Sequence, residues 1–207
     1  MRTENISPTK GNLMSVKKSL QLARMGFDLL DRKRNILIRE LMDLIDEAKG
    51  IQSEIDQTFT RAYKALQMAN VELGVQSVEE ISRTVPVEDS ITIKTRSIMG
   101  TEIPLVEHAV SQDMPTYAFY STRMSLDRAR AEFLKVKELT IRLSMVENSA
   151  YRLATNIKKT QKRANALKNI TIPTYTERVV NITNALEEKE REEFTRLKVI
   201  KKNISKS

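Results

Sequence analysis

The 207-residue chain has no cysteine and no tryptophan, a single histidine, and only five glycines and five prolines. Without cysteine it can form no disulfide, thiolate nucleophile or cysteine-based metal site, a composition compatible with a reducing compartment. His108 has no second histidine or cysteine with which to share a metal, so it reads as an ordinary residue just after a hairpin. The glycines are scattered, which excludes a glycine-rich phosphate cradle. Aromatic residues make up 5% of the chain and charged residues 30%, a balance that does not fill a thick globular core. No run approaches the roughly 18 uncharged apolar residues of a membrane span. The opening MRTENISPTKGNL also lacks the apolar block of a secretory signal. A soluble chain that is not exported is expected.

What the chain does have is a repeated step. Apolar residues run Leu13, Val16, Leu20, Ala23, Phe27, Leu30, pass over Arg34, and resume at Leu37, Leu41, Leu44, Ala48, Ile51, Ile55, Phe59, Ala62, Leu66, Ala69 and Leu73. Alternating steps of three and four place one row of side chains on one helix face, the seam of a coiled coil. Ser7 suits the N-cap and Pro8 the first helical position, so helix one is expected from there to about Gly74. At ~1.5 Å per residue this is a rod of roughly 100 Å. Two successive four-residue steps, Ile51 to Ile55 to Phe59, predict a stutter that relaxes the supercoil. Arg34, the polar interruption, is expected either to fix register or to contact a partner.

The pattern changes after Gly74. Ile91, Ile93 and Thr95 alternate with Thr92, Lys94 and Arg96, which reads as a strand. Met99-Gly100-Thr101 supplies a turn, and Ile103 to Val106 reads as the returning strand, with Pro104 confining it to an edge. A second helical seam follows at Leu139, Leu143, Val146, Ala150, Leu153, Ile157, Thr160, Ala164 and Leu167. Pro173 is expected to kink or end that helix. Beyond it Thr174 and Glu177 have capping-box spacing, and Tyr175, Val179, Ile182, Leu186, Phe194, Leu197, Ile200 and Ile204 are expected to carry a seam to the C-terminus. The fold class is therefore all-α: a long antiparallel two-helix coiled coil from the N- and C-terminal helices, with a small central β-hairpin. Its expected parts are an N-terminal helix over 1–74, a central region over 75–115 with the hairpin at about 90–107, and a C-terminal helix over 116–207, together one structural unit.

Charge is unevenly placed. Residues 1–27 hold Arg2, Lys10, Lys17, Lys18 and Arg24 against Glu4, a net of +4, and residues 194–207 hold Arg196, Lys198, Lys201, Lys202 and Lys206 with no acid, a net of +5. The whole chain is +8, so everything between carries −1. Antiparallel pairing would gather that excess on one tip. The acidic run Glu187, Glu188, Glu190, Glu192 and Glu193 reads as a solvated helix face, because Glu187 with Arg191 and Glu192 with Arg196 are i,i+4 pairs. Tyr117, Phe119 and Tyr120 suit either a partner patch or packing beneath the hairpin. Three function classes follow: a shaft held in a protein partner, an autonomous coiled-coil scaffold, and a basic coiled coil that binds nucleic acid or a membrane surface. No recognition module or aromatic platform accompanies the basic tip, which disfavours nucleic acid.

Three strings narrow the choice: NISPTKGNLMSVKKSLQLARMGFDLLDRKRNIL at the start, SIMGTEIP in the hairpin, and QKRANALKNITIPTYTERVVNITNALEEKEREEFTRLKVIKK at the end. In collinear order over nearly the whole chain they resemble the D subunit of the V-type and archaeal A-type rotary ATPases. The resemblance implies a central-stalk rotor axle, non-catalytic and without a cofactor, whose helical coil is inserted into a hexamer of catalytic A and B subunits. It implies further partners in the F subunit of the stalk and in the C (or d) subunit that links to the membrane rotor ring. It also implies a cytoplasmic place in a peripheral membrane-attached complex, with no nucleic acid bound and no membrane insertion. Within that frame Lys10, Lys17, Lys18, Arg24, Arg196, Lys198, Lys201 and Lys202 are expected to form a positive collar facing the hexamer. Leu13, Leu20, Phe27, Leu30, Leu37, Leu41, Leu186, Phe194 and Leu197 are expected in the seam, and Met99, Gly100 and Pro104 at the hairpin turn.

Overall fold

A computed structural model describes residues 7–86, 91–108, 115, 117–118, 120 and 122–204. Its elements are α1 (Lys10–Leu73), α2 (Val75–Ser82), β1 (Ile91–Ile98), β2 (Thr101–His108), α3 (Met124–Ala166), a π-helical turn (Leu167–Thr171) and α4 (Ile172–Ile204). Long first and last helices with a two-stranded hairpin between them are what the periodicities predict. The chain forms two compact units, one from residues 1–35 and 158–207, the other from residues 36–157.

In the first unit α1 starts two residues later than the sequence predicts. Thr9 is the capping residue, its Oγ1 accepting from the Asn12 N–H at 3.2 Å, and Ser7 uses only its carbonyl, which accepts from Asn12 Nδ2 at 2.8 Å. Once Thr9 satisfies a free N–H of the first turn, Pro8 lies outside the helix. Along this unit α1 runs antiparallel to the end of α3 and to α4: Lys10 Nζ meets Glu190 Oε1 at 2.9 Å, the Lys168 ammonium lies 5.9 Å from the Phe27 ring centre, and Arg34 reaches Gln161. Val16, Ala23, Ala164 and Ile182 are buried, and Leu13, Leu20, Phe27, Leu30 and Leu186 are half-buried along the seam. Phe194 and Leu197 are not in it, standing 70% and 65% exposed. The reason is length: the first residue of α1 already pairs with Glu190, so among the described residues nothing covers α4 beyond that point.

Pro173 does not end the helix. The Ile172 N–H donates to the carbonyl of Leu167, five residues back, and the backbone on both sides of the turn stays α-helical. Widening one turn to i−5 bonding accommodates a residue that lacks an N–H and whose ring would crowd the carbonyl four residues earlier. Thr174 accordingly does not cap a new helix; its hydroxyl donates back to the Ile170 carbonyl at 2.7 Å.

The second unit holds the deepest packing. Leu37 of α1 and Leu153 of α3 have 0% exposure and close on Ile103 of β2, with Leu41, Leu44, Ile98 and Ile157 around them. Ile51 and Ile55 pack on Val146, and Ala69 packs on Val78 of α2 and Leu126. The predicted stutter is absent: Thr58 is buried, its hydroxyl donating to the Glu54 carbonyl at 2.7 Å, and Ala65 is buried as well. From Leu37 the seam thus keeps strict steps of four and three through Leu41, Leu44, Ala48, Ile51, Ile55, Thr58, Ala62, Ala65 and Ala69. Phe59 lies beside it, stacked on Tyr63 with centroids 5.8 Å apart, and Tyr63 meets Phe133 edge-on at 5.7 Å. Exposed pairs such as Arg142 with Glu47 at 2.6 Å flank the seam.

Gly74 closes α1 and opens α2. Its φ of 84° is a conformation that favours glycine, its N–H donates to the Asn70 carbonyl and its own carbonyl accepts from Val78. Tyr117 belongs to the packing beneath α2, and its hydroxyl donates to Asp127 at 2.6 Å. Burial and that bond to a carboxylate push the phenol up to about 12. Tyr120 is fully exposed, and Phe119 lies outside the described residues. Helix α3 begins at Met124; Thr116, where the second helix is expected to start, lies outside the described residues.

The seams make two substitutions informative. Leu153→Ala should cost about 2–5 kcal/mol, because it opens a cavity against both Leu37 and Ile103. Urea denaturation should show a lower midpoint with an unchanged slope, and Leu153→Met should cost less than about 1.5 kcal/mol. Arg34 sits at a seam position of the first unit, 25% exposed, donating to Gln161 Oε1 at 2.8 Å and paired with Asp31 at 2.7 Å. The structure therefore turns it inward, to an interhelical polar lock. Arg34→Leu is expected to raise stability by about 1 kcal/mol, since packed apolar side chains commonly match or exceed such a lock; a lowered thermal midpoint would contradict this.

Candidate functional site

Among the described residues no three His, Asp or Glu side chains are grouped to hold a metal, and no helix is long and apolar enough to cross a membrane. Each unit presents one candidate surface.

In the first unit the surface is the end of α4. From Arg191 to Ile204 every residue is exposed, and Phe194, Leu197, Ile200 and Ile204 follow at steps of three, three and four along one side. Basic side chains interleave with them. The expected collar is not uniform. Lys10 is held by Glu190, whose hydrogen bond and charge raise the ammonium pKa above its ordinary value. Arg196 is paired with Glu192 at 3.7 Å, as Arg191 is with Glu187. These two i,i+4 pairs are the ones the spacing predicts. Lys17, Lys18, Arg24, Lys198 and Lys201 are exposed with no ion pair among the described residues, and Lys202 is exposed beside them. On the side of α1 away from the seam, Met14, Leu22, Met25 and Leu29 are also exposed.

In the second unit the surface is the hairpin. Met99 and Gly100 have φ of 49° and 73°, both left-handed, between the paired residues Ile98 and Thr101. Two left-handed residues in a two-residue loop match the twist of the strands they join, and glycine takes the second at no steric cost. Pro104 pairs with Thr95 on the set of rungs that alternates with that of Ile98–Thr101, where N–H groups point away from the partner strand, so its missing N–H costs the ladder nothing. Helix α3 holds β2 down: Asn156 Nδ2 donates to Thr101 Oγ1, Arg152 Nη1 to the Glu102 carbonyl at 3.2 Å, and the Val106 N–H to Met145 Sδ at 3.4 Å. Sequence reasoning does not single out these three anchors. Their polar and sulfur groups lie off the apolar row, so periodicity alone carries no signal for them.

A groove of about 680 Å³ between α1 and α3 is lined by Arg61, Lys64, Met68, Glu72, Arg128 and Glu132 among others. Its charges are mixed in sign and only partly matched, with Lys64 and Arg128 in no ion pair among the described residues. Glu132 bonds Lys135 at 3.0 Å and lies 3.7 Å from Arg61, while Ser125 donates to Glu72 at 2.6 Å. Cations and carboxylates so interleaved do not select a ligand of either charge.

Residues 12–202 match the family model for the D subunit of ATP synthase. The V-type ATP synthase D subunit of Thermotoga neapolitana is 44% identical over 202 residues, spanning 98% of this chain and 100% of that protein. The A-type ATP synthase D subunits of Thermococcus sibiricus and Pyrococcus furiosus are 37% and 39% identical, covering 97% and 95% of this chain and 95% and 93% of their own lengths. A match running from the first turns of α1 to the last turns of α4, hairpin included, places the chain in the family of ATP synthase D subunits.

Proposed function

We infer that this protein is the central-stalk axle of a V/A-type rotary ATPase, a non-catalytic subunit that couples the catalytic A/B hexamer to rotation and ion translocation. The observation that carries the reading is the end of α4: an apolar stripe flanked by lysines that the chain's own described residues do not cover. An exposed row of Phe194, Leu197, Ile200 and Ile204 suits insertion into a surrounding protein. An autonomous scaffold would bury it against itself. Family membership supplies the complex, and the F and C/d subunits of that stalk are the further partners this reading assigns.

The mechanism follows from symmetry and linkage. A pair of helices has no three-fold axis, so three A–B pairs arranged around it face three different surfaces. Each is biased toward a different nucleotide state, and by reciprocity a change of nucleotide state biases the angle of the axle. Torque then passes along the seam, where interlocked apolar side chains at steps of three and four resist sliding. The outward face needs to attract the hexamer without adhering to one position. Solvated lysines and flexible methionines and leucines do this better than fixed hydrogen bonds.

The reading is tested by copurification and counting: one copy of this chain per ATPase hexamer is expected, and self-association without the hexamer would favour a scaffold. A second expectation concerns the collar. Reversing Lys17, Lys18, Arg24, Lys198 and Lys201 to glutamate should weaken hexamer binding by roughly tenfold or more and flatten its salt dependence, because these cations lack partners of their own. Unchanged affinity and an unchanged salt slope would remove the collar from the account.

A further inference from the structure

The two edges of the hairpin are treated differently by the fold. Along the outer edge of β2 three successive outward-facing residues each have one backbone group used or deleted: the Glu102 carbonyl accepts from Arg152, Pro104 has no N–H, and the Val106 N–H donates to Met145. In an antiparallel ladder the residues opposite these also turn their backbone groups outward, at the other edge. They are Ser97, Thr95 and Ile93, with Ile91 next in the series. Among the described residues their N–H and C=O groups have no hydrogen-bond partner, and β1 carries no proline, glycine or bulge. Ile91 and Ile93 are 41% and 68% exposed beside them. Exposed, regular edges of this kind are normally blunted. This chain blunts one edge and leaves the other open.

Side chains say what fits there. On one face of β1 stand Ile91, Ile93 and Thr95; on the other stand Lys94 and Arg96. Lys94 is already matched by Glu107 at 2.7 Å, whereas Arg96 is exposed with no ion pair among the described residues. A second copy of β1 would bring Lys94 and Arg96 against their own kind, which destabilises cross-strand pairs. We propose that the free edge of β1 is a strand-addition site for an extended segment of another protein subunit, alternating apolar residues over Ile91 and Ile93 with an acidic residue beside Arg96. Main-chain bonds at Ile91, Ile93, Thr95 and Ser97 would provide the affinity, and the Arg96 contact the register.

The proposal deepens the axle reading and takes its partner from the same complex, so the experiment separates the two. Amide hydrogen exchange is measured for the full chain alone and in the purified rotary complex. In the complex, exchange at Ile93 and Thr95 should slow by at least roughly tenfold, whereas in the free chain it should be fast. Thr95→Pro removes an outward N–H without touching the β2 ladder, and Arg96→Glu leaves the backbone intact. In the complex Thr95→Pro should speed exchange at Ile93 and Arg96→Glu should speed it at both Ile93 and Thr95, and a photo-crosslinker at position 95 should label an acidic extended segment of a different subunit. If the complex forms with one copy of this chain but Ile93 and Thr95 exchange as fast as in the free chain, the edge proposal fails and the axle stands. Labelling of a second copy of this chain would also overturn it. If no complex forms, the axle reading itself fails.

Discussion

Leu37, Leu153 and Ile103 meet where no solvent reaches the two leucines, and three elements of the second unit depend on that contact. It closes α1 on α3 and at the same time seats β2 on both. A two-stranded hairpin is marginal by itself in water, so this one persists because Ile103 is sunk between two helices and Thr101, Glu102 and Val106 are tied to α3. Burying one leucine contributes on the order of 1.5–3 kcal/mol. Exposed ion pairs such as Arg142 with Glu47 contribute about 0–1 kcal/mol. Apolar contact therefore sets the fold, and charge is left free to set what the surface attracts.

The same division explains how much is legible in the sequence. A row of apolar residues at steps of three and four identifies a helix face, and alternation with Met99-Gly100 identifies a hairpin; both are local properties of the chain. What lies opposite a face is not local. Phe194 and Leu197 resume the apolar row after the charged stretch 187–193, yet they are exposed because α1 has already begun at the level of Glu190. Thr58 escapes notice for the opposite reason. A polar residue reads as a gap in a seam, but its hydroxyl can be satisfied by the Glu54 carbonyl of its own helix and so be buried at little cost. Thr9 and Ser7 compete on equal chemistry for the cap, and only the position of the first helical turn decides between them. At the candidate site the basic residues are visible in the sequence, but which of them are neutralised by neighbours depends on geometry such as that of Lys10 with Glu190.

The wide turn at Leu167–Thr171 has a consequence for phase. Through α3 the row in the first unit runs Thr160, Ala164, Leu167; continued without change it would arrive at positions 171, 174, 178, 181 and 185. The buried residue is instead Ile182, one place later, while Asn181 is exposed; at the other levels both neighbours, such as Thr174 with Tyr175 and Arg178 with Val179, are half-buried. One residue has been absorbed. The π turn is thus a one-residue vernier between two helices of slightly different register, with Pro173 marking the place and keeping the slip from migrating along the shaft.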